Sequence, residues 1–314
     1  MAEIIDGTAV AEELKAEARA EGAALVARGV RPSIATVLAG DDYGARMYRR
    51  QIERTAAEIE VEHRDVSLPG SATLDDVIAA VRTLAADPSV HGILPLRPLP
   101  AGLPEEAVLD AIDPAKDVDG LHPVSAGRLA LGRPTLYPAT PSACFALLER
   151  HFARHGEDPQ RAFEGKDLVI VGRSNIVGKP AYFMALQRNA TPTTVHSFTS
   201  KAGTLADHTR RADILIVAMG KPEFITAGMV KPGAIVVDVG INSVAVLDAQ
   251  GRPVQDERGR PRRRTVGDVA FEEVSRIAAA ITPVPGGVGA VTGLLLMKNV
   301  LRAAAGIAVQ APGR

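Results

Sequence analysis

The chain has 314 residues, of which 46% are hydrophobic and 23% charged, so it is long enough for two domains of ordinary size. Its 36 Lys and Arg residues balance 37 Asp and Glu residues, which argues against a nucleic-acid partner. The single cysteine, Cys144, excludes an intrachain disulfide, and we recognise neither a membrane-spanning apolar run nor a signal peptide. We therefore expect a cytoplasmic protein with no membrane partner.

The first half of the chain alternates stretches of helical apolar spacing with short β-rich runs. Strands that alternate with helices predict a parallel sheet with right-handed crossovers. Pro95, Pro98, Pro100 and Pro104 then predict a rigid loop at the carboxyl end of a strand, where open α/β sheets bind their ligands. The predicted elements are helices over 7–29, 45–59 and 73–86 and strands over 32–38, 61–68 and 90–94.

The second half repeats this alternation after Pro138 and Pro141, which we take as the crossing into a second domain. Residues 246–264 are polar and basic, and they predict an exposed hairpin or a mobile loop. Between the halves, Asp117 and Asp119 lie beside Gly120, a pattern that also fits a solvated turn or a helix cap. The predicted elements are strands over 168–171, 193–196, 214–218 and 234–239 and helices over 142–155, 181–186, 203–211 and 291–304.

One stretch of the second half resembles a phosphate-binding loop. An apolar strand runs to Val171 and breaks at Gly172, a second glycine follows at Gly178, and a helix then begins. A strand, a tight turn and a helix start present backbone N–H groups to a phosphate. The pattern GxSxxVGxP departs from the GxGxxG dinucleotide fingerprint, and an isolated turn of this kind is often only a turn.

The charges around this loop favour NADP over NAD. NAD preference usually requires an acid after the second strand, which accepts from the ribose 2′-hydroxyl, but residues 173–206 contain no Asp or Glu. A 2′-phosphate instead needs cations and hydroxyl donors. The alternative is that the basic residues are scattered surface charge. The candidate groups are Arg173, Lys179, Arg188, Lys201 and the hydroxyl of Ser197.

Several long motifs, in the same order, are similar to those of the methylenetetrahydrofolate dehydrogenase/cyclohydrolase family. They lie at 116–123, 171–180, 212–220, 230–242 and 282–289, and the resemblance runs from about Ile4 to Val300. It implies an α/β fold with an N-terminal folate domain and a Rossmann-like, parallel-sheet NADP domain, with a cleft between them, usually in a homodimer. We place the folate domain at 1–139 plus 286–314 and the NADP domain at 140–285.

The resemblance also implies the chemistry and the residues that carry it. Hydride would pass from the methylene carbon of a tetrahydrofolate derivative to the nicotinamide of NADP. Asp119 would hydrogen-bond the amino edge of the pterin, Tyr48 would pack against the folate, and no metal is expected. The expected cofactor-binding residues are Thr140, Gly172, Arg173, Ser174, Ile176, Val177, Gly178, Ser197, Ala218, Gly220, Gly240 and Ile241, with Arg173, Ser174 and Ser197 on the 2′-phosphate. The expected substrate-binding residues are Tyr48, Asp119, Pro285, Gly286 and Gly287.

The sequence departs from the family at the catalytic end. The family motif Ser-x-x-Tyr-x-x-x-Lys reads Ala45, Tyr48 and Ile52 here, and the family Gln falls on Leu96. Three polar groups around the reacting carbon have therefore become aliphatic, although Arg97 could reach the site. The catalytic positions are thus Tyr48, Asp119, Ile52 at the Lys position and Leu96 at the Gln position. Smaller changes are Ala139 for Cys, Ala270 for Asp and Ala290 for Pro.

These departures separate the two reactions of the family. Hydride transfer needs the carbon held close to the nicotinamide and no proton removed, whereas hydrolysis of the methenyl cation is a general acid–base task. We therefore expect a dehydrogenase whose cyclohydrolase activity is weak or absent. Two alternatives stay open: a bifunctional enzyme in which Arg97 or a shifted helix register restores the base, and a non-catalytic pterin-binding paralog. The intact nucleotide loop argues against the paralog.

Overall fold

The structure is a computed structural model, and it describes residues 1–248, 250, 252–256 and 259–306. The chain divides into two compact units. The six-strand unit comprises Met1–Val10 and Ala143–Ala290, and the three-strand unit comprises Ala11–Ser142 and the segment from Val291. Both units combine helices with a parallel sheet, so the predicted two-domain α/β fold class is confirmed. The expected cleft stays a prediction.

The helices and strands are numbered along the chain. The strands are β1 (Glu3–Ile4), β2 (Ser33–Ala39), β3 (Glu62–Leu68), β4 (Gly92–Pro95), β5 (Asp167–Val171), β6 (Thr191–Val195), β7 (Ile214–Val217), β8 (Ile235–Asp238), β9 (Asn242–Ala245), β10 (Arg263–Val266) and β11 (Ala280–Ile281). The helices are α1 (Gly7–Ala27), α2 (Tyr43–Glu58), α3 (Leu74–Ala86), α4 (Glu105–Leu109), α5 (Pro123–Ala130), α6 (Ala139–Arg154), α7 (Gly178–Leu186), α8 (Ser197–Lys201), α9 (Leu205–Thr209), α10 (Phe271–Val274) and α11 (Val288–Ala304).

The three-strand unit is built on a parallel sheet in the order β3-β2-β4. All seven residues of the central strand β2 are buried, as expected for a parallel strand covered on both faces. Its apolar residues pack with those of α3, including Val77 and Val81. α3 begins with a capping box, in which Thr73 and Asp76 bond each other's backbone N–H groups. The predicted strands and helices of this half are confirmed to within a few residues.

The six-strand unit has a parallel sheet in the order β1-β11-β8-β7-β5-β6. The chain runs from β5 outwards to β6 and then crosses back to β7 on the other side of β5. The carboxyl ends of β5 and β7 therefore flank a topological switch point, which is where open α/β sheets bind ligands. The predicted cofactor residues Gly172 and Ala218 directly follow these two strands.

The predicted domain boundaries differ from the observed units at three places, and residues 140–142, assigned to the NADP domain, lie in the three-strand unit. Residues 1–10 and 286–290 were assigned to the folate domain but lie in the six-strand unit. The reason is that β1 pairs with β11 at the edge of the larger sheet, and Glu3 lies opposite Ala280 in this register. A two-residue strand has no hydrophobic period for sequence reasoning to detect. Residues 307–314 of the predicted folate domain lie outside the described residues.

Other elements also differ from prediction. The predicted helix over 203–211 is the shorter helix α9, and a further short helix, α8, precedes it; Gly203 lies between the two with a positive φ of 78°. α6 begins at Ala139, before the predicted start, since a proline such as Pro141 is tolerated in the first helical turn. β9 and β10 pair antiparallel at the two ends of the segment over 246–264 that was predicted as an exposed hairpin or a mobile loop, and positions 249, 251, 257 and 258 of this segment lie outside the described residues.

Within the described ranges, none of the helices combines the length and apolar character needed to cross a membrane.

Candidate functional site

The loop between β5 and α7 requires glycine at two positions. Gly172 has a φ of 136°, and a Cβ there would overlap the carbonyl oxygen of Ala218. A Cβ on Gly178 would overlap the carbonyl oxygen of Gly172 itself. The first glycine therefore permits the turn after the strand, and the second permits the helix to start against it. This backbone is the strand–turn–helix arrangement that the sequence predicts.

The side chains inside this loop divide into two groups. Ser174 is exposed, and its Oγ accepts the backbone N–H of Val177 at 3.1 Å and that of Gly178 at 3.4 Å. Its oxygen thus caps the start of α7, while its hydroxyl hydrogen can still donate to a ligand. Ile176 is also exposed, whereas Val177 is buried against the core. Ser174 and Ile176 therefore present their side chains to solvent, whereas Val177 does not.

A basic, acid-free surface follows β6. The guanidinium carbon of Arg173 lies 5.5 Å from the ring centre of Phe198, and Nζ of Lys201 lies 5.1 Å from the same ring. Phe198 is 60% exposed, and Ser197 beside it is exposed at the first position of α8. His196 accepts the N–H of Phe198 at 3.3 Å and so fixes this turn. Two cations and a hydroxyl are therefore grouped on one exposed surface.

Two of the basic residues counted toward NADP binding do not join this surface. Arg188 is buried, its Nε and Nη2 donate to Oε1 of Glu149 at 2.9 and 2.7 Å, and it lies over the ring of Phe145. Lys179 donates to Oδ1 of Asn175 at 2.7 Å. The inclusion of Arg188 among the cofactor cations was wrong, because a carboxylate distant in sequence neutralises it in the core.

A cavity of about 380 Å³ brings together predicted cofactor and predicted substrate residues. Its lining includes the predicted cofactor residues Gly240 and Ile241 and the predicted substrate residues Pro285, Gly286 and Gly287. Ile241 is 70% exposed. The start of α1 packs closely against this loop, since a Cβ on Gly7 would overlap the carbonyl oxygen of Gly287. Sequence reasoning missed the further lining residues Thr8, Asp238 and Val239, and Ala290, at the family Pro position, also borders the cavity.

Asp268 is a buried carboxylate that holds the loop after β7. Its Oδ2 accepts the backbone N–H groups of Met219 and Gly220 at 2.6 and 2.9 Å. Its Oδ1 accepts from the N–H of Lys221 and from Nδ2 of Asn242, both at 2.8 Å. Predicted cofactor residues Ala218 and Gly220 lie in this loop, so Asp268 fixes their backbone without itself lying exposed.

Asp238 performs the same task at the end of β8. Its Oδ1 accepts the N–H groups of Gly240 and Asp268 at 2.9 and 3.0 Å, and its Oδ2 accepts that of Val269 at 2.9 Å. Burial raises the pKa of Asp238 to about 6 despite these bonds. Sequence reasoning missed both acids. The available signal was a lone Asp in each of two apolar runs, Val236 to Val239 and Val266 to Val269.

In the three-strand unit, the positions of the missing polar groups lie in the core. Ala45, Tyr48 and Ile52 follow one another at helical spacing along α2. Ala45 and Ile52 are each 1% exposed, and Tyr48 is 36% exposed. Leu96, directly after β4, is also 1% exposed, and its N–H donates to the carbonyl of Val37 at 2.9 Å. The two residues that the resemblance places at the family Lys and Gln positions, Ile52 and Leu96, are thus fully buried aliphatic side chains.

The two neighbouring acids, Asp117 and Asp119, have different environments. Asp117 caps a turn, because its two oxygens accept the N–H groups of Leu121 and His122 at 3.1 and 2.8 Å. Asp119 instead meets a cation, since Nη2 of Arg97 lies 3.3 Å from its Oδ2. Asp117 is therefore a turn-capping acid, although it is buried rather than solvated, and Asp119 is the acid available for another role.

The charges of Asp119 and Arg97 act on each other and on the phenol of Tyr48. Burial raises the pKa of Asp119 to about 6, against the opposing charge of Arg97 and a hydrogen bond from the N–H of Ala139. Burial and the charge of Asp119 together raise the pKa of the Tyr48 phenol to about 12. Arg97 also pairs with Oε1 of Glu105 at 3.2 Å. This end of the unit therefore contains a neutral phenol, a carboxyl that titrates near pH 6 and a permanently charged guanidinium.

The remaining predicted residues lie apart from these groups. Thr140 is half-buried at the second position of α6, and Ala270, at the family Asp position, caps the short helix α10. Arg49 pairs with Oδ2 of Asp65 at 2.7 Å and so does not replace the missing Lys.

Comparisons with known proteins agree with this arrangement. Residues 5–119 match the family model for the tetrahydrofolate dehydrogenase/cyclohydrolase catalytic domain, and residues 138–307 match the model for its NAD(P)-binding domain. A relative named bifunctional protein FolD 3, from Rubrobacter xylanophilus, is 47% identical over 313 residues, covering 100% of this chain and 95% of the relative.

Solved structures give the same result. The bifunctional enzyme FolD, methylenetetrahydrofolate dehydrogenase/cyclohydrolase, from Campylobacter jejuni has a TM-score of 0.85 and 36% identity, with 98% of this chain and 99% of that chain covered. The Trypanosoma brucei enzyme, solved in complex with NADP cofactor and inhibitor, has a TM-score of 0.83 and 35% identity, with 97% of each chain covered. The chain therefore belongs to the tetrahydrofolate dehydrogenase/cyclohydrolase family.

Proposed function

We propose that the chain oxidises 5,10-methylenetetrahydrofolate to 5,10-methenyltetrahydrofolate by hydride transfer to NADP, with weak or absent cyclohydrolase activity. The observation that carries this proposal is the burial of Ile52 and Leu96, each 1% exposed, where the family resemblance implies Lys and Gln. The dehydrogenase part rests on the glycine loop and on membership of the family. A cytoplasmic homodimer is proposed from the sequence and the family resemblance.

The NADP preference is supported by the surface after β6. A dianionic 2′-phosphate is stabilised by charge-assisted hydrogen bonds from cations and hydroxyls. Arg173, Lys201 and Ser197 offer these groups around Phe198, and residues 173–206 contain no carboxylate to repel the phosphate. NADP would supply the hydride acceptor. The related Trypanosoma brucei structure is described as an NADP complex, which agrees with this assignment.

The remaining residues of the six-strand unit would bind and orient the cofactor. Because Gly172 and Gly178 lack a Cβ, the chain can make the tight turn that would direct backbone N–H groups toward a pyrophosphate. Asp268 and Asp238 hold the backbone of Gly220 and Gly240, so these residues are fixed before a ligand arrives. Hydride transfer depends on this kind of positioning, because a small misplacement of the reacting atoms costs much of the rate.

The weak hydrolysis follows from the apolar catalytic positions. Hydrolysis of the methenyl cation requires an activated water and a group that takes its proton, and neither Ile52 nor Leu96 can serve. Arg97 cannot act as a base at neutral pH, because the guanidinium stays charged. Loss of a positioned proton-transfer group typically costs a factor of about 10²–10⁴ in rate.

A second candidate, the fully bifunctional enzyme, is favoured by one observation. The carboxyl of Asp119 has a pKa of about 6, which suits a general acid or base operating near neutral pH. It lies beside Arg97 and influences Tyr48. The printed names of the relatives also describe bifunctional proteins. In this candidate, Asp119 replaces the missing Lys as the proton acceptor.

One assay distinguishes these possibilities. Purified full-length protein is mixed with 5,10-methylenetetrahydrofolate and either NADP or NAD, and the methenyl absorbance and the reduced nicotinamide are followed together. Faster turnover with NADP and accumulation of the methenyl product support the proposal. Stoichiometric nicotinamide reduction with rapid loss of the methenyl signal supports the bifunctional candidate. Absence of turnover with both cofactors, while ligands still bind, would support a non-catalytic pterin-binding paralog.

A further inference from the structure

A cluster of two histidines and one glutamate lies in the six-strand unit, apart from the predicted cofactor and substrate residues. His151 and His155 are one helical turn apart on α6, and Glu3 lies on the edge strand β1. One ligand atom from each of the three side chains can be chosen so that all three atoms lie within 4.8 Å of one another. Neither the family resemblance nor the proposed reaction assigns a role to this cluster.

The hydrogen bonds of the cluster aim its nitrogen lone pairs inwards. Nδ1 of His155 lies 2.9 Å from the carbonyl oxygen of His151, and a carbonyl oxygen can only accept, so Nδ1 carries the hydrogen. Nε2 then faces Oε2 of Glu3 at 2.9 Å, where it donates a hydrogen in the metal-free protein, and a metal ion would displace that hydrogen and use the Nε2 lone pair. Nδ1 of His151 lies 3.6 Å from the other oxygen of Glu3. A backbone acceptor that fixes the tautomer of a histidine is the usual outer support of a metal ligand.

The surroundings leave space for an ion and its remaining ligands. The cluster borders a cavity of about 320 Å³, which is also lined by Glu157, Lys166 and Asp213. His151 is buried, whereas Glu3 and His155 have side chains 45% and 47% exposed. The site is thus reachable from solvent, with the half-exposed Glu3 and His155 at its rim and the buried His151 at its base. Glu157 is a further carboxylate on the same cavity.

We propose that Glu3, His151 and His155 bind a divalent transition-metal ion of the zinc class, with water completing its coordination. Imidazole and carboxylate together suit zinc, cobalt or nickel, whereas magnesium and calcium take oxygen ligands. Donor atoms of a tetrahedral zinc ion lie about 3.3 Å apart, given bonds of about 2.0–2.1 Å. The observed separations, 2.9 and 3.6 Å from Glu3 to the two histidines and within 4.8 Å for the whole set, would adjust to this spacing through rotation of the half-exposed Glu3 and His155 side chains.

The ion would tie the first strand of the chain to a helix. β1 is only two residues long and pairs with β11 at the edge of the sheet, so few backbone bonds hold it. A metal bound by Glu3 together with the two histidines of α6 would add a cross-link between these elements. A ligand that binds only the folded state stabilises it in proportion to its concentration and affinity. The site is therefore assigned a structural role.

The test uses the full chain, freed of any polyhistidine tag and treated with chelator. Zn²⁺ is titrated by calorimetry, and Co²⁺ is titrated by its visible absorption, which reports coordination directly. We expect saturation at one ion per chain and a higher melting temperature with Zn²⁺. His155→Gln and Glu3→Gln should each weaken binding by at least about 10-fold, since loss of a residue that merely supports a ligand already costs about 10–100-fold. Mg²⁺ should not bind at this site.

The controls make the result decisive. Glu3 and His155 are half-exposed, so their substitution leaves no core cavity, and circular dichroism of the metal-free variants checks the fold. His208→Gln on α9 removes a histidine far from the cluster in sequence and should leave zinc affinity unchanged. Absence of saturable Zn²⁺ and Co²⁺ binding would overturn the proposal and reduce the cluster to a His–Glu ion pair. Binding that is equal in wild type, His155→Gln and Glu3→Gln would overturn it as well.

Discussion

The glycine loop of the six-strand unit and the aliphatic positions Ile52 and Leu96 of the three-strand unit are constrained in different ways. Around Gly172 and Gly178, the backbone is so tightly packed that a single Cβ would overlap a carbonyl oxygen. Ile52 and Leu96, which the sequence resemblance aligns with polar family residues, are aliphatic side chains that lie in the core. Backbone sterics thus constrain a cofactor loop, whereas a proton-transfer side chain can be exchanged for a core residue.

The difference teaches how two reactions of one family can be separated. Hydride transfer relies on the placement of two bound molecules, and placement is built into the loops held by Asp238 and Asp268. Hydrolysis relies on a side chain that titrates. Substitutions in the loops should therefore change stability and cofactor affinity. Substitutions at the catalytic end should change protonation and proton transfer.

The largest expected effect comes from Asp268→Ala. Asp268 accepts three backbone N–H groups and one amide, and the substitution leaves buried donors without a partner. We expect the free energy of unfolding to fall by about 3–5 kcal/mol, and NADP affinity to fall with it. Denaturant unfolding and a cofactor titration measure both. Asp207→Ala, an exposed acid in the first turn of α9, is the matched control and should change stability by less than about 0.5 kcal/mol.

The next effect is the pH dependence that Asp119 imposes on stability. Its pKa is raised to about 6 from an ordinary value of 3.8, so between these values the folded protein retains a proton that the unfolded chain has lost. Stability should therefore fall as pH rises through this window, by about 3 kcal/mol from this group. Asp119→Asn should remove that part of the slope. Asp238 is raised in the same direction, but it contributes equally to both proteins.

The same substitution tests the role of Asp119 toward the folate. The carboxylate that would accept pterin N–H bonds forms as pH rises through about 6, so the affinity of wild type for tetrahydrofolate should increase over that range. Asp119→Asn should bind folate weakly at every pH and bind NADP normally. If folate affinity is unchanged in the variant while only stability responds, Asp119 is a cap for the N–H of Ala139 at the start of α6.

A smaller effect is expected at the basic surface after β6, where the 2′-phosphate of NADP is proposed to bind. Arg173→Ala should weaken NADP binding by roughly 10–100-fold, because a charge-assisted hydrogen bond contributes about 1.5–3 kcal/mol. NAD binding should hardly change, since NAD lacks the 2′-phosphate. Fluorescence titration of both cofactors gives the ratio. Lys179→Ala removes a cation from the same loop that is already engaged by Asn175 and should change the ratio less. Equal losses for NADP and NAD in Arg173→Ala would contradict the assignment.

The smallest expected gain is from restoring the family residues. Ile52→Lys alone places an ammonium in a buried, aliphatic site, where it tends to lose its charge. Ile52→Lys combined with Leu96→Gln supplies an amide partner, so the double variant should gain more methenyl hydrolysis than the two single variants together. Methenyl absorbance decay in all four proteins measures the coupling, and melting temperatures show whether each variant folds. Additive or absent gains in folded variants would mean that these positions do not control hydrolysis.

Much of the fold was predictable because its signals are local. Alternating apolar runs and helical periodicity lie within short windows, and the glycine loop shows its turn in the spacing of Gly172 and Gly178. The first strand, β1, and its partner β11 were missed. Each has only two residues, and the two strands lie near opposite ends of the sequence. The predicted boundary at residues 1–10 differs from the observed units for that reason.

The site was predictable where a residue type alone determines its chemistry. The absence of acids over 173–206 needs no structure to be seen. The partner of Arg188, however, is Glu149, and the donors to Asp268 come from the loop after β7. Those contacts depend on tertiary folding, so a sequence cannot distinguish a buried ion pair from a surface cation. The burial of Ile52 and Leu96 likewise required the packed unit.

The most direct test of this account is the rate of enzymatic methenyl hydrolysis by the wild-type protein. Isolated 5,10-methenyltetrahydrofolate is added without NADP, at a pH where its spontaneous decay is slow, and the decay is compared with and without protein. The account predicts that the enzymatic rate is below the dehydrogenase turnover by a factor of about 100 or more. A hydrolysis rate comparable to the dehydrogenase turnover would contradict it, and loss of that hydrolysis in Asp119→Asn at saturating folate would identify Asp119 as the base.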